Sequence, residues 1–217
     1  ILVQSGNDIT LNGDITSAGG AITVLATNNL SQNGTIQTTG ASIDVEATSG
    51  HLTMGDPALS EGGTIRYWAA QDVVLGSLQA SDISVTAQSG SILDGGDSGL
   101  ELISDTVRLS AGSGVGEFTN HIEMNVGSLT AGSGSDGIAL SEKDDLIIES
   151  IEVAIERVQT DGTTQTVTDT LQSNVVSGGS IVMDVGSSVT SNDNITAESV
   201  ILVQSGNDIT LNGDITS

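Results

Sequence analysis

The residues of this chain best suited to chemistry are a few aspartates, two histidines and four cations, and their spacing limits what they can do. Asp94 and Asp97 bracket the run DGGDSG at 94–99, with Asp105 close behind. Their hard carboxylate oxygens suit calcium. The run does not follow the GGxGxDxUx pattern of calcium-binding nonapeptides, so an acidic surface loop is the simpler reading; Asp94 and Asp97 stay as candidate calcium ligands. His51 and His121 stand alone, without HxxxH or HxxE spacing, and read as surface or turn histidines. Arg66, Arg108, Lys143 and Arg157 lie far apart in sequence, although stacked repeats can bring some together. Carboxylates with nearby cations are what a polysaccharide lyase or hydrolase would need, but no such cluster is legible. Glu142, Asp144, Asp145 and Glu149 read as a solvated acidic face. No G-x-S-x-G is matched by a histidine partner. Tyr67 and Trp68 are adjacent and could stack on a sugar. Strand alternation, however, sends Tyr67 inward with Ile65 and Ala69 and leaves Trp68 outward. No catalytic residue and no cofactor are expected.

Composition narrows the classes further. The 217 residues include 28 Asp and Glu against 4 Lys and Arg, a formal net charge of −24. Such a surface repels a polyanion, so nucleic acid is not an expected partner. Beyond those two candidate ligands, calcium enters as a diffuse counter-ion that would let acidic neighbours approach. No run approaches the roughly 20 apolar residues of a membrane span. There is no Cys, hence no disulfide framework and no thiolate site. Tyr67, Trp68 and Phe118 are the only aromatic residues, yet 36% of the chain is hydrophobic. The core must therefore be built from thin aliphatic layers of Ile, Val, Leu and Ala.

Repeats supply the frame for those layers. Residues 1–17, ILVQSGNDITLNGDITS, recur letter for letter at 201–217. We read 1–200 as one tandem-repeat unit and 201–217 as the start of the next. A shorter period of about 20 residues lies inside it: AITVLAT at 21–27, SIDVEAT at 42–48, TIRYWAA at 64–70, DISVTAQ at 82–88, TVRLSAG at 106–112 and SIVMDVG at 180–186. Each segment alternates apolar and polar residues, the mark of a strand with one buried face. Their leading residues are Ile22, Ile43, Ile65, Ile83, Val107 and Ile181, and Ile22, Ile43, Ile65 and Ile83 are expected to stack in one inward column. Thr23, Asp44, Arg66, Ser84, Arg108 and Val182 then point outward, too mixed a series for an ice-binding ladder. Small residues (Ala26, Ala47, Ala69, Ala87 and Ala111) recur at one position and imply a narrow interior. Asn7, Asn28, Asn33 and Asn192 sit at turns, where they can form ladders.

Coils of about three short strands cannot bury their own apolar face alone, but stacked coils share a core. The expected fold is all-β: a right-handed parallel β-helix, with a hairpin-like elaboration around 138–176. The Asp-Gly at 161–162 marks the hairpin turn; a helix over 146–158 is the competing reading. At the junction, Ile181, Met183 and Val185 are expected to stack against Ile201, Leu202 and Val203, with no linker between units. Each unit then adds eight to ten coils, or roughly 40–48 Å at the strand spacing.

The phrases GGAITVLATNNLSQNGTIQT, GNDITLNGDITSAGG and GIALSEKDDLIIESI resemble filamentous haemagglutinin-like adhesins, giant exported proteins of the two-partner-secretion type. The resemblance implies an extracellular or cell-surface location on a Gram-negative bacterium and a role as stalk or adhesin. The reading that follows is a non-catalytic structural shaft segment. Its partners are adjacent copies end to end, with neighbouring filaments or surface glycans alongside. The alternative is a carbohydrate-binding or carbohydrate-active β-helix. A calcium-rigidified β-sandwich array fits poorly, since a sandwich has no short coil-scale period.

Overall fold

In a computed structural model that describes residues 1–56, 58–96 and 99–217, the chain winds into a parallel β-solenoid of about 10 turns, with no helix among them. Every turn has two sides. Over the first turns one side is a single longer strand: Leu2–Ser5, Ile22–Ala26, Ser42–Ala47 and Thr64–Ala69, then the second halves of Ser77–Ala87, Leu102–Ala111 and Ile122–Ser133. The other side is a pair of short strands meeting at a corner, such as Ile9–Leu11 with Ile15–Ser17 and Leu30–Gln32 with Ile36–Thr38. Asn-Gly at 12–13 and 33–34 makes those corners, where the chain must bend sharply.

The inward columns are continuous. Ile22 pairs with Ile43, Ile43 with Ile65, Ile65 with Ile83, Ile83 with Val107 and Val107 with Leu129, all in parallel. Ala26, Ala47, Ala69, Ala87 and Ala111 stack at the end of the same strands. These side chains form one connected aliphatic core, and burial at ~25 cal/mol per Å² of apolar surface drives its formation. One aromatic enters it. Tyr67 is fully buried between Val45 and Val85, and its length carries the hydroxyl across the coil. There it donates to Gln32 Oε1 at 2.5 Å and lies 2.7 Å from Ser60 Oγ, while Gln32 Nε2 reaches Ser60 Oγ at 3.1 Å. Three polar groups thus satisfy one another inside the core, as burial requires.

Ile181 does not belong to the column of Ile22. It pairs with Ile138, which lies on Val115, Ile92, Val73, Leu52, Leu30 and Ile9, the column of the second side. The reason is a change of corner. Gly137–Glu142 has no turn residue in its middle, so it runs straight where earlier turns bent, and it covers both short-strand positions at once. Meanwhile the first side, straight until Ile122–Ser133, becomes cornered. Leu146–Ile148 pairs with Ser128 and Leu129, and Val175–Ser177 pairs with Ala131, Gly132 and Ser133.

Between those two short strands the chain leaves the solenoid. Ala154–Val158 and Thr164–Thr168 form an antiparallel hairpin, closed by a turn with Gly162 at φ 84°. An Ile151–Gln172 bridge continues the pairing at its base. The excursion is narrower than 138–176, because 137–142 and 146–148 are ordinary coil strands. No helix forms over 146–158; Ile151, Val153 and Ile155 alternate inward at period two, with Glu152 and Ala154 exposed.

Candidate functional site

The hairpin is a strap. It lies back along the first side of the solenoid, towards the N-terminus, and touches coil after coil. Gln172 Nε2 donates to the Leu109 carbonyl at 2.8 Å and Arg108 Nε to the Thr170 carbonyl at 3.1 Å. Further along, the Glu156 N–H donates to Ser42 Oγ at 3.0 Å and the Val158 N–H to Thr23 Oγ1 at 2.9 Å. Thr23, Asp44, Arg66, Ser84 and Arg108 point away from the core, as alternation requires, but the strap covers them and all five are buried. Outward from the coil is therefore not exposed to water here.

Under the strap, charge is concentrated and paired. Arg66 Nη1 donates to Asp44 Oδ1 at 3.0 Å and Glu46 Oε2 at 3.2 Å, and its Nε to Asp169 Oδ1 at 3.0 Å. Arg157, from the strap, takes the other oxygen of Asp44 at 2.5 Å and also pairs with Glu46. Burial works against the Arg66 charge, but Asp44, Asp169 and Glu46 outweigh it and its pKa is raised. For Arg157, Asp44 and Glu46 likewise outweigh burial. Arg108 has hydroxyl and carbonyl partners but no direct ion pair among the described residues, and burial lowers its pKa, with Asp169 opposing. Three of the four cations thus gather on one face, two of them, Arg66 and Arg157, paired directly with three carboxylates. Sequence shows that stacking can gather cations without showing where. The available signal is that Asp44 and Arg66 hold equivalent positions in successive repeats. Chemically the cluster is a fastener: both oxygens of Asp44, Glu46 Oε2 and Asp169 Oδ1 are held by the two arginines beneath a lid of chain, while Asp169 Oδ2 is buried without a hydrogen-bond partner.

The calcium candidates fare differently. Asp97 lies outside the described residues. Asp94 accepts the Gly96 N–H at 2.9 Å through Oδ1, and no metal-holding group of three or more His, Cys, Asp or Glu occurs among the described residues. Near Asp94, Glu101 is buried and takes the Glu123 N–H at 2.8 Å. Burial, with Asp94 and Glu123 adding like charge, pushes its carboxyl up to about 8. Glu142 is also buried, at the corner where it accepts the N–H groups of Val126 and Asp144, both at 3.0 Å. Burial raises it to about 7, with Asp144 adding to the shift.

Those two carboxyls set a pH dependence. Both titrate above the ~4.3 of an unfolded Glu, so between that value and 7–8 the folded chain holds protons that the unfolded chain has released. Stability is then greatest at the acid end of the window and falls as pH rises through about 7 and about 8. The Tm is expected to drop by several degrees between pH 5.5 and 8.5, corresponding to about 1–3 kcal/mol. Glu101→Gln combined with Glu142→Gln should flatten the profile in a thermal melt series. An unchanged slope would place the effect elsewhere.

His51 is half-exposed and pairs with Asp72 at 3.1 Å in a turn. Tyr67 is buried and Trp68 is partly exposed, so the two rings do not form a common platform. A shallow groove of about 490 Å³ follows one corner of the solenoid. Its floor is the outward ladder of Glu61, Gln79, Ile103 and Asn125, and no aromatic ring lines it.

At the junction, Ile181 pairs with Ile201, Val182 with Leu202, Met183 with Val203 and Val185 with Ser205. Asn212 Nδ2 donates to Asn192 Oδ1 at 3.0 Å; its counterpart Asn12 accepts from Asn33 Nδ2 at 2.8 Å. Likewise the Asp214 N–H donates to Asn194, whereas Asp14 accepts from the Thr35 N–H. The same segment therefore bonds to a coil before it at 201–217 and to a coil after it at 1–17. Gly206 seals the fit: a Cβ there would collide with the Gly186 carbonyl oxygen. No family model, curated protein or solved structure matched this chain in comparison.

Proposed function

We propose that the chain is a shaft segment of an extracellular or cell-surface bacterial fibre, of the filamentous haemagglutinin-like kind, with a mechanical and spacing role. The observation that carries this reading is the two-directional use of one repeated segment, 1–17 and 201–217. Its upper edge is complementary to the coil that follows residue 17, and its lower edge to the coil that precedes residue 201. A segment with both edges matched can be repeated without a linker. Stacked aliphatic layers and parallel hydrogen bonding then supply stiffness along the axis. The high negative charge keeps neighbouring shafts apart until divalent cations or acid screen it.

Electron microscopy of a chain carrying several periods tests the proposal. A smooth rod is expected, advancing about 41 Å per period at ~4.8 Å per coil. Beads joined by hinges would overturn it. A second reading, carbohydrate binding, draws on the polar groove over Glu61, Gln79 and Asn125. Retention of the chain on a glycan array would bring it forward.

A further inference from the structure

The two copies of the repeated segment lie on different sides of the solenoid. In the first copy, Leu2–Ser5 opens the column of Ile22, on the first side. In the second copy, Ile201–Ser205 lies on Ile181–Val185 and Ile138, on the second side. The short strands exchange as well. Ile9–Leu11 and Ile15–Ser17 belong to the second side, whereas Ile209–Leu211 and Ile215–Thr216 stack on Val189–Ser191 and Ile195–Ala197, on the first. Nine passes of the first side and eight of the second precede Ile201. One period is thus about eight and a half turns, or about 41 Å.

The half turn enters with the strap. Up to Ile122–Ser133 the first side is straight and the second cornered; from Leu146 onward the first side is cornered, and the strap leaves from that corner between Ile148 and Val175. The corner chemistry moves with it. Asn12-Gly13-Asp14 bends the second side, and Asn192-Asp193-Asn194 bends the first. Residues 201–217 begin with a long strand, which fits only the side that is straight at that level, the second.

We propose that in a shaft of successive periods the units are related by a half rotation about the axis, so that their straps alternate between opposite sides of the rod. The proposal rests on the shaft reading and adds to it the arrangement of whatever the straps present. Each side then carries one strap every second period, about 82 Å apart. Between straps the same side is bare for a stretch of similar length, because it serves there as the cornered side of the neighbouring unit. The outer face of the strap, with Thr164, Gln165 and Thr166 exposed, is displayed in two staggered rows. Under each strap lies its own Asp44–Arg66–Arg157 fastener, so the rows would be fixed in position along the rod.

The absence of Cys makes the phase measurable in two ways. In the full chain, Asp184→Cys with Gln204→Cys places thiols on paired, outward positions across the junction, and a disulfide is expected on mild oxidation. Thr196→Cys with Gln204→Cys sits on different sides and should stay reduced. The opposite result would overturn the half turn. In a chain of four periods, Thr160→Cys at each strap turn carries a maleimide gold label. The expected image is a straight rod with gold on alternate sides, successive particles about 41 Å apart along the axis at the strand spacing. A straight rod with all gold in one row overturns the alternation and leaves the shaft standing. Beads on hinges overturn both, and the 184–204 disulfide then shows whether the phase within one period was right.

Discussion

An Arg66→Leu chain is expected to lose about 3–5 kcal/mol of stability, the range for breaking one member of a buried ion cluster. Asp44 is fully buried, and its two oxygens are divided between Arg66 and Arg157. Removal of Arg66 leaves half of that carboxylate unpaired. It also strips Asp169 of the Nε–H that its Oδ1 accepts, and Asp169 Oδ2 already has no partner. Desolvated carboxylates without partners are what make such changes severe, rather than the loss of attraction itself. Arg66→Lys should cost less, since it keeps the charge but cannot span Asp44, Glu46 and Asp169 with one planar fork. Urea denaturation measures the loss. Proteolysis at the strap turn, around Asp161 and Gly162, measures whether the strap lifts first. A change within ~0.5 kcal/mol, typical of an exposed surface position, would mean that the strap does not shield the cluster.

Most of the solenoid was legible because its signal is local. Period-two alternation marks Ile22–Ala26 as readily as Thr64–Ala69, and strands of one pattern recurring about every 20 residues point to stacked coils. Tyr67 could be turned inward on the same ground, although its hydroxyl partners, Gln32 and Ser60, come from earlier coils and carry no mark in sequence. What was not legible is where the chain leaves the coil and returns. The long strands at Val107 and Ile181 look alike, so an alignment by pattern puts them in one column. The stretch between them hides the straight run of 137–142 and the cornering of the first side. Asp-Gly at 161–162 announced a hairpin but not its landing place. That place depends on Asp44, Arg66 and Arg108, which alternation labels outward and which only a covering segment can bury. A mixed outward series of Thr, Asp, Arg and Ser, holding two of the four cations, was the one available hint.

The largest loss is expected from Ile65→Asp, at more than ~5 kcal/mol, above the 2–5 typical for Ile→Ala in a core. Ile65 is fully buried in the column between Ile43 and Ile83, with no polar partner for a carboxylate on either neighbour. The carboxylate must protonate or open the coil, and either route is costly. In a solenoid the damage spreads by nearest neighbours, so it should fall off with coil number. Here the strap modifies that rule. By binding Thr23, Asp44, Arg66, Arg108 and Leu109 at once, it ties the coils at 22–26, 42–47, 64–69 and 102–111 into one cooperative block. Hydrogen exchange on Ile65→Asp should therefore show protection lost together across those strands. Amides of Ile181–Val185 and Ile201–Ser205, whose partners lie beyond the strapped coils, should keep most of theirs. Equal loss at 181–205 would mean that the chain unfolds as a single unit, and loss confined to 43–47, 64–69 and 83–87 would mean that the strap couples nothing.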